Sequence, residues 1–205
     1  MPDRAEAVRL TGEGVGRLLV VAPNWLGDSV MALPAIQTLR AAWPGAHLAV
    51  AARPSVAALF AMVPGVQQVV TLESRAGLSG VQRWRRDVAR LEAERFGLAG
   101  LFPNSFLSAW ITAHAKIPAR WGYATDLRGR WLTRAFRRPP ADVHQADYYL
   151  ALTTAAGLPP VVVDLHPDRP DEVKVICAAS DEGFYVANLK GEIEKHYRFG
   201  HVQNI

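Results

Sequence analysis

Short apolar runs recur along this chain at a spacing that suits a layered α/β fold. RLLVVAP (17–23), HLAVAAR (47–53), QVVTL (68–72) and GLAGLFP (97–103) are too short for helices and apolar throughout their centres. Runs of this kind are what strands buried on both faces look like. Longer stretches with helical character separate and follow them, at 28–43, 54–63, 79–95 and 105–116. Strand, helix, strand in alternation predicts βαβ units, hence a Rossmann-like parallel sheet with helices on both faces. A last helix is expected over roughly 144–157, opening near HQADYYLAL and stopping at Gly157 before Pro159. Within 28–43, Val30, Leu33, Ile36, Leu39 and Trp43 recur every three or four residues, which places them on one core-facing side. Pro34 interrupts that pattern. It has no N–H to donate, so it marks either a second helix start or a kink.

Charge divides the chain in two. Residues 1–160 carry 18 Lys+Arg against 11 Asp+Glu, whereas residues 161–205 carry 5 against 8. All six Trp lie before residue 132, and the first 160 residues contain a single Lys, Lys116. PPVVVDLHPDRP supplies linker punctuation at the change. The expected organisation is a flexible leader over 1–16, a Rossmann-like domain over 17–160 and an unlike tail over 161–205. Nothing approaches the roughly 18 consecutive apolar residues of a membrane span. The N-terminus lacks an apolar export segment, so a cytoplasmic location is expected, with peripheral contact at the inner membrane allowed. A lone Cys177 makes neither an internal disulfide nor a cysteine-based zinc site, and the six histidines show no metal-ligand spacing.

The turn after the first strand, APNWLGDSVMALPA (22–35), carries the most chemistry. Ligands of open α/β sheets bind beyond the carboxyl ends of the strands. Asn24, Gly27, Asp28 and Ser29 fall there. Gly27 permits close backbone approach to a ligand. Asp28 either caps the helix or serves as a base facing a cleft. A helix N-terminus lowers a carboxylate's pKa, which opposes the second role. Asn104 and Ser105 follow the fourth strand in the same way. They suit a helix cap and also face the ligand side. From Lys116 to Arg138 there are seven basic residues and one acid, Asp126, interleaved with Trp121, Tyr123 and Trp131. Arginine favours carboxylates and phosphates. GEGVG (12–16) has the look of a dinucleotide fingerprint but precedes the first strand instead of following it.

PNWLGDSVMALPA, LFPNSFLSAW, IPARWGY and HQADYYLAL, in this order and spacing, resemble the ADP-heptose:lipopolysaccharide heptosyltransferases of glycosyltransferase family 9, and within them the heptosyltransferase II group. The resemblance runs from about residue 17 to about 158. It implies the N-terminal domain of a GT-B enzyme, two Rossmann-like domains facing a cleft. It implies an inverting, metal-independent transfer of heptose from ADP-heptose to a lipid A–Kdo–heptose acceptor. It implies no cofactor beyond the donor and no nucleic acid partner. The family's proposed base falls on Asp28. The acceptor side is then expected to include Asn24, Gly27, Ser29, Asn104, Ser105, Arg120, Arg128 and Arg130, the arginines meeting the acceptor's phosphates and carboxylates.

Beyond about residue 160 the resemblance stops. The family's Gly-rich, Lys-containing phosphate loop and its Asp-x-Gly-x-x-His segment have no counterpart here. Residues 161–205 are expected to be an unrelated or aberrant tail with strands at 173–177 and 184–188 and a helical turn near 190–197. The chain is accordingly expected to be a truncated enzyme, weakly active or inactive alone. One alternative is a non-catalytic binding module for an anionic lipid-linked sugar. Another is a different Rossmann-type nucleotide binder, disfavoured because HLAVAAR ends in Arg53 where a dinucleotide site has an acid.

Overall fold

The computed structural model describes residues 15–74 and 80–160, and three strands between 174 and 197. The leader expected over 1–16 lies almost wholly outside the described residues. The chain divides into two compact units, Met1–Val161 and Val162–Ile205.

The first unit is a six-stranded parallel sheet ordered β3-β2-β1-β4-β5-β6. Its strands are β1 (Arg17–Val21), β2 (His47–Ala52), β3 (Gln68–Thr71), β4 (Leu98–Leu101), β5 (Ala119–Tyr123) and β6 (Arg134–Phe136). Its helices are α1 (Leu26–Met31), α2 (Leu33–Ala42), α3 (Pro54–Ala61), α4 (Val81–Ala93), α5 (Phe106–His114) and α6 (Gln145–Ala155). This is the α/β, Rossmann-like architecture expected. Right-handed crossovers explain its two layers. The chain moves outward from β1 to β3, then returns to the centre and moves the other way through β4, β5 and β6. Helices α1, α2 and α3 therefore cover one face, joined by α6 packed on α1 and α2, while α4 and α5 cover the other.

The strands are apolar on both sides because both sides are covered. Leu18, Leu19 and Val20 are fully buried, as are Leu48, Ala49, Val50 and Ala51. One core gathers Leu19, Val21, Ala51, Ala99 and Leu101 with Leu91 of α4 and Ile111 of α5. On the opposite face Leu39 of α2 packs so close to Gly100 that a Cβ there would meet its Cδ1 at 3.3 Å. Burying a side chain such as Leu39 contributes about 2 kcal/mol.

Several expectations change. The helix expected over 28–43 is two helices that break at Ala32, with Pro34 in the first turn of the second. Proline is tolerated there because that N–H has no intrahelical acceptor. The break rotates the two halves relative to one another. Val30 is consequently exposed, while Ile36, Leu39 and Trp43 remain buried. Strands β5 and β6 went unrecognised beneath the basic run. Alternation of charged and aromatic residues resembles a solvated segment, although β5 lies between β4 and β6 and only β6 is at the sheet edge. Helix α6 ends as expected, and Gly157 takes a φ of +89°, a backbone conformation that suits glycine.

The second unit contains an antiparallel sheet, β7 (Lys174–Ala178), β8 (Phe184–Asn188) and β9 (Ile193–Tyr197), ordered 7-8-9. Two of these strands match the expected positions within a residue. The helical turn expected near 190–197 is instead the third strand. IEKHY has no strict apolar–polar alternation, and it is pairing with β8 that satisfies its backbone groups on that side.

Candidate active-site crevice

The strand order reverses direction between β1 and β4. The loop leaving β1 turns toward one face and the loop leaving β4 toward the other, so their divergence opens a crevice at the carboxyl edge of the sheet. Asn24, Gly27, Asp28 and Ser29 belong to the first loop and the helix it feeds. Asn104 and Ser105 belong to the second. The topology thus brings together two sequence motifs eighty residues apart.

Asp28 is not the cap of its helix. Trp25 occupies that position, no side chain closes the cap, and Asp28 lies in the first turn. No hydrogen bond or ion pair among the described residues engages its half-buried carboxylate. Burial raises its pKa above the ordinary aspartate value. The shift is opposite to the depression expected of a helix terminus, because desolvation penalises the anion. The Asp28 charge is felt by Tyr149 of α6, whose hydroxyl is pushed up to about 12, first by burial, with Gln145 opposing and Asp28 and Tyr148 adding. Desolvated and without a cation among the described residues, this carboxylate is more basic than a surface cap would be.

Helix α6 is fastened above the strand ends. Tyr123 donates its hydroxyl to the Tyr148 carbonyl at 2.6 Å, and Asn104 Nδ2 donates to the Tyr148 hydroxyl at 2.7 Å. The rings of Phe102 and Tyr149 lie 5.3 Å apart. Asn104 Oδ1 is buried and accepts no hydrogen bond among the described residues. Its backbone carbonyl accepts from Thr125 Oγ1 at 3.1 Å. Asn104 therefore joins the loop after β4 to α6, a role its sequence position did not announce.

Asn24 and Ser105 line a cleft of about 60 Å³ at the crevice, bounded also by Val21, Arg53, Ser74 and Ser108. Ser105 is both a cap and a lining residue: its Oγ accepts from the Ser108 N–H at 3.3 Å. Gly27 is exposed, and a Cβ placed there would meet nothing within 4 Å. The fold itself therefore places no steric demand for glycine at this position.

Three candidates change role. Ser29 is completely buried and donates its hydroxyl to the Pro23 carbonyl at 3.2 Å, so it shapes the turn from inside and has no surface to offer an acceptor. Arg128 is completely buried as well. It donates through Nε to the Tyr123 carbonyl at 2.8 Å and through Nη1 to the Pro103 carbonyl and to Ser108 Oγ. Its Nη2 has no hydrogen-bond partner among the described residues and faces Gly122, where a Cβ would lie 2.9 Å away. Burial lowers its pKa to about 10, with Tyr148 and Asp126 opposing. Arg128 braces the wall of the crevice from behind. Arg120 lies near the start of β5, away from the carboxyl edge. It donates Nε to the Trp131 carbonyl at 2.6 Å and Nη1 to the Ile117 carbonyl, and burial lowers its pKa. Arg130 alone of the three arginines is exposed, lying over Phe106 at 5.8 Å and Trp131 at 5.4 Å.

Sequence reasoning used Arg53 only against a dinucleotide site and missed that this residue, just after β2 at the N-cap of α3, lines the cleft. Its position was the available signal, since every strand end on this edge is a candidate. Tyr149 also went unnoticed, because a tyrosine inside YYLAL reads as core.

No protein-family profile matches the chain. It is 32% identical to lipopolysaccharide heptosyltransferase 2 of Salmonella typhimurium over 112 residues, 55% of this chain and 32% of that protein. It is 30% identical, over the same shares, to lipooligosaccharide heptosyltransferase 2 of Haemophilus ducreyi. The chain thus spans about a third of the length of the curated relatives it matches. The solved E. coli ADP-heptose LPS heptosyltransferase II superposes with a TM-score of 0.55 at 28% identity, covering 66% of this chain and 39% of that one. A family 9 glycosyl transferase from Veillonella parvula superposes with a TM-score of 0.63 at 16% identity, over 70% and 42% of the two chains, a likeness of fold alone.

Proposed function

We propose that residues 17–160 form the acceptor side of a heptosyltransferase, of the heptosyltransferase II type, that builds the inner core of lipopolysaccharide from ADP-heptose. The observation that carries this reading is the Asp28 carboxylate, half-buried and unpaired among the described residues, at the switch point of a sheet similar to those of heptosyltransferases. Similarity to named heptosyltransferases supports the substrate class.

In the proposed reaction an acceptor hydroxyl oxygen attacks the anomeric carbon of the donor from the face opposite ADP. The new glycosidic C–O bond forms as the bond to the β-phosphate oxygen breaks. ADP departs with that electron pair, and the hydroxyl proton passes to Asp28. A base is needed only as the oxygen becomes acidic, late in the attack, which suits a carboxylate of raised pKa. Asn24 and Ser105 offer hydrogen bonds to the acceptor sugar. Both substrates must be held across the cleft for transfer. The polypeptide of residues 1–205 by itself is accordingly expected to turn over far more slowly than a full-length relative.

The test is a chimera in which residues 17–160 replace the matching segment of the Salmonella enzyme, assayed with ADP-heptose and a heptose-deficient acceptor. Transfer is expected, and Asp28→Ala should lower kcat by roughly 10²–10⁴ with little change in acceptor KM. A folded chimera without activity, or an Asp28→Ala variant that loses binding and turnover equally, overturns the reading.

A further inference from the structure

The polar groups of the switch-point cleft are unequal. Ser74 Oγ donates to the buried carboxylate of Asp87, and Ser108 Oγ donates to the Ser105 carbonyl at 2.8 Å. Their hydroxyl hydrogens are committed to the protein. Ser105 differs, since its Oγ accepts from Ser108 N–H and no hydrogen bond among the described residues uses its hydroxyl hydrogen. Asn24 adds an exposed carboxamide, and among the described residues Arg53 adds the one cation that lines the cleft. The remaining described lining is apolar, including Val21, Leu72 and Ile111, and no acid among the described residues contributes to it. Asp87, beneath Ser74, is buried and already accepts from the N–H groups of Glu73 and Ser74.

We propose that this cleft is an anion subsite that takes a sugar carboxylate or a phosphate through Arg53, with Asn24 and Ser105 as neutral donors. A guanidinium presents paired N–H groups that match either oxyanion, and an apolar wall strengthens the attraction by excluding water. Asp28 does not line the cleft, so a bound anion is kept apart from the carboxylate that must accept a proton. The anion anchors one end of a ligand while a hydroxyl elsewhere on it reaches Asp28. That the anion belongs to a glycosyl acceptor rests on the transferase reading; that the cleft binds an anion does not.

The whole chain, isotopically labelled, is titrated with inorganic phosphate, with glucuronate and with glucose while backbone amide shifts are followed. Phosphate or glucuronate is expected to shift the amides of Asn24, Arg53, Ser105 and Ser108, and glucose is not. The tighter of the two anions identifies the source. Arg53→Gln should weaken that binding at least tenfold, and Arg53→Lys should retain part of it. Should Arg53→Gln fail to fold, Asn24→Ala and Ser105→Ala each report instead, with a loss of a few fold. Equal shifts with glucose, shifts confined to other residues, or undiminished binding in these variants overturns the subsite. A chain that binds the anions but whose chimera is inactive overturns the transferase reading alone. An active chimera without anion binding overturns the subsite alone.

Discussion

The turn between β1 and α1 and the basic stretch from Lys116 to Arg138 use their charges in opposite ways. The turn holds one carboxylate, and the fold leaves it without a partner among the described residues. The basic stretch holds seven cations, and the fold occupies most of them. Lys116 pairs with Glu92 at 2.6 Å. Arg120 and Arg128 bind backbone carbonyls. Arg134 lies over Trp121 and Phe136, and Arg138 over Tyr148. The difference teaches that abundance of charge is a poor guide to a binding site. A charge is available for chemistry when the structure declines to satisfy it, and one such group outweighs several that are spent on packing.

The comparison breaks most sharply at Arg128. If it braces the crevice wall, Arg128→Met strands the carbonyls of Tyr123 and Pro103 and loses about 3 kcal/mol of stability, readable by urea denaturation. A ligand-binding surface arginine would lose function with stability nearly unchanged, so an unaltered denaturation midpoint would return Arg128 to the acceptor side. A smaller effect is expected at Gly27. Its Cβ position is open, so Gly27→Ala leaves the protein as stable or raises its stability by up to about 1 kcal/mol through helix propensity. The same methyl would stand between the backbone and a close ligand, and in the chimera it should raise acceptor KM roughly tenfold, or about 1.4 kcal/mol. An unchanged KM would show that no ligand approaches there.

The smallest effect concerns Asp28 and stability. Its folded-state pKa is raised, so the native protein holds that proton more tightly than the unfolded chain does. The protonated group is the better accommodated one. Its relative contribution is complete below the unfolded pKa and is lost as pH rises through the folded value. Asp28→Asn should therefore raise the thermal midpoint at pH 7, and the gain should vanish as the solution is acidified below the ordinary aspartate range. A midpoint lowered at pH 7 would mean the carboxylate stabilises its helix and is not held in reserve for a reaction. Gain of stability on removing a functional group is the usual trade-off at an active site.

Much of the first unit was legible because its signals are local. A strand buried on both faces must be apolar at every position, and four of the six strands declared themselves that way within two residues at each end. The remaining two lack that signal: RWGY of β5 places Arg120 in an interior strand, and RAF of β6 is three residues at the sheet edge, so only pairing identifies them. The split at Ala32 was half visible in Pro34. Asp28 and Asn104 are residues of strand-to-helix turns, and a position of that kind follows from chain order.

What chain order fixed, then, is the alternation of elements, the direction of the strands and the edge on which the functional turns lie, since these depend on periodicity and on the handedness of crossovers. The environment of each side chain was settled only by packing. Ser29 and Asp28 are neighbours in sequence, yet one is sealed inside and the other is half-open. Arg53 and Arg128 are the same residue type, yet one lines a cleft and the other supports a wall. Burial and partnership are sums over atoms distant in the chain, and those sums exist only once the sheet has brought them together.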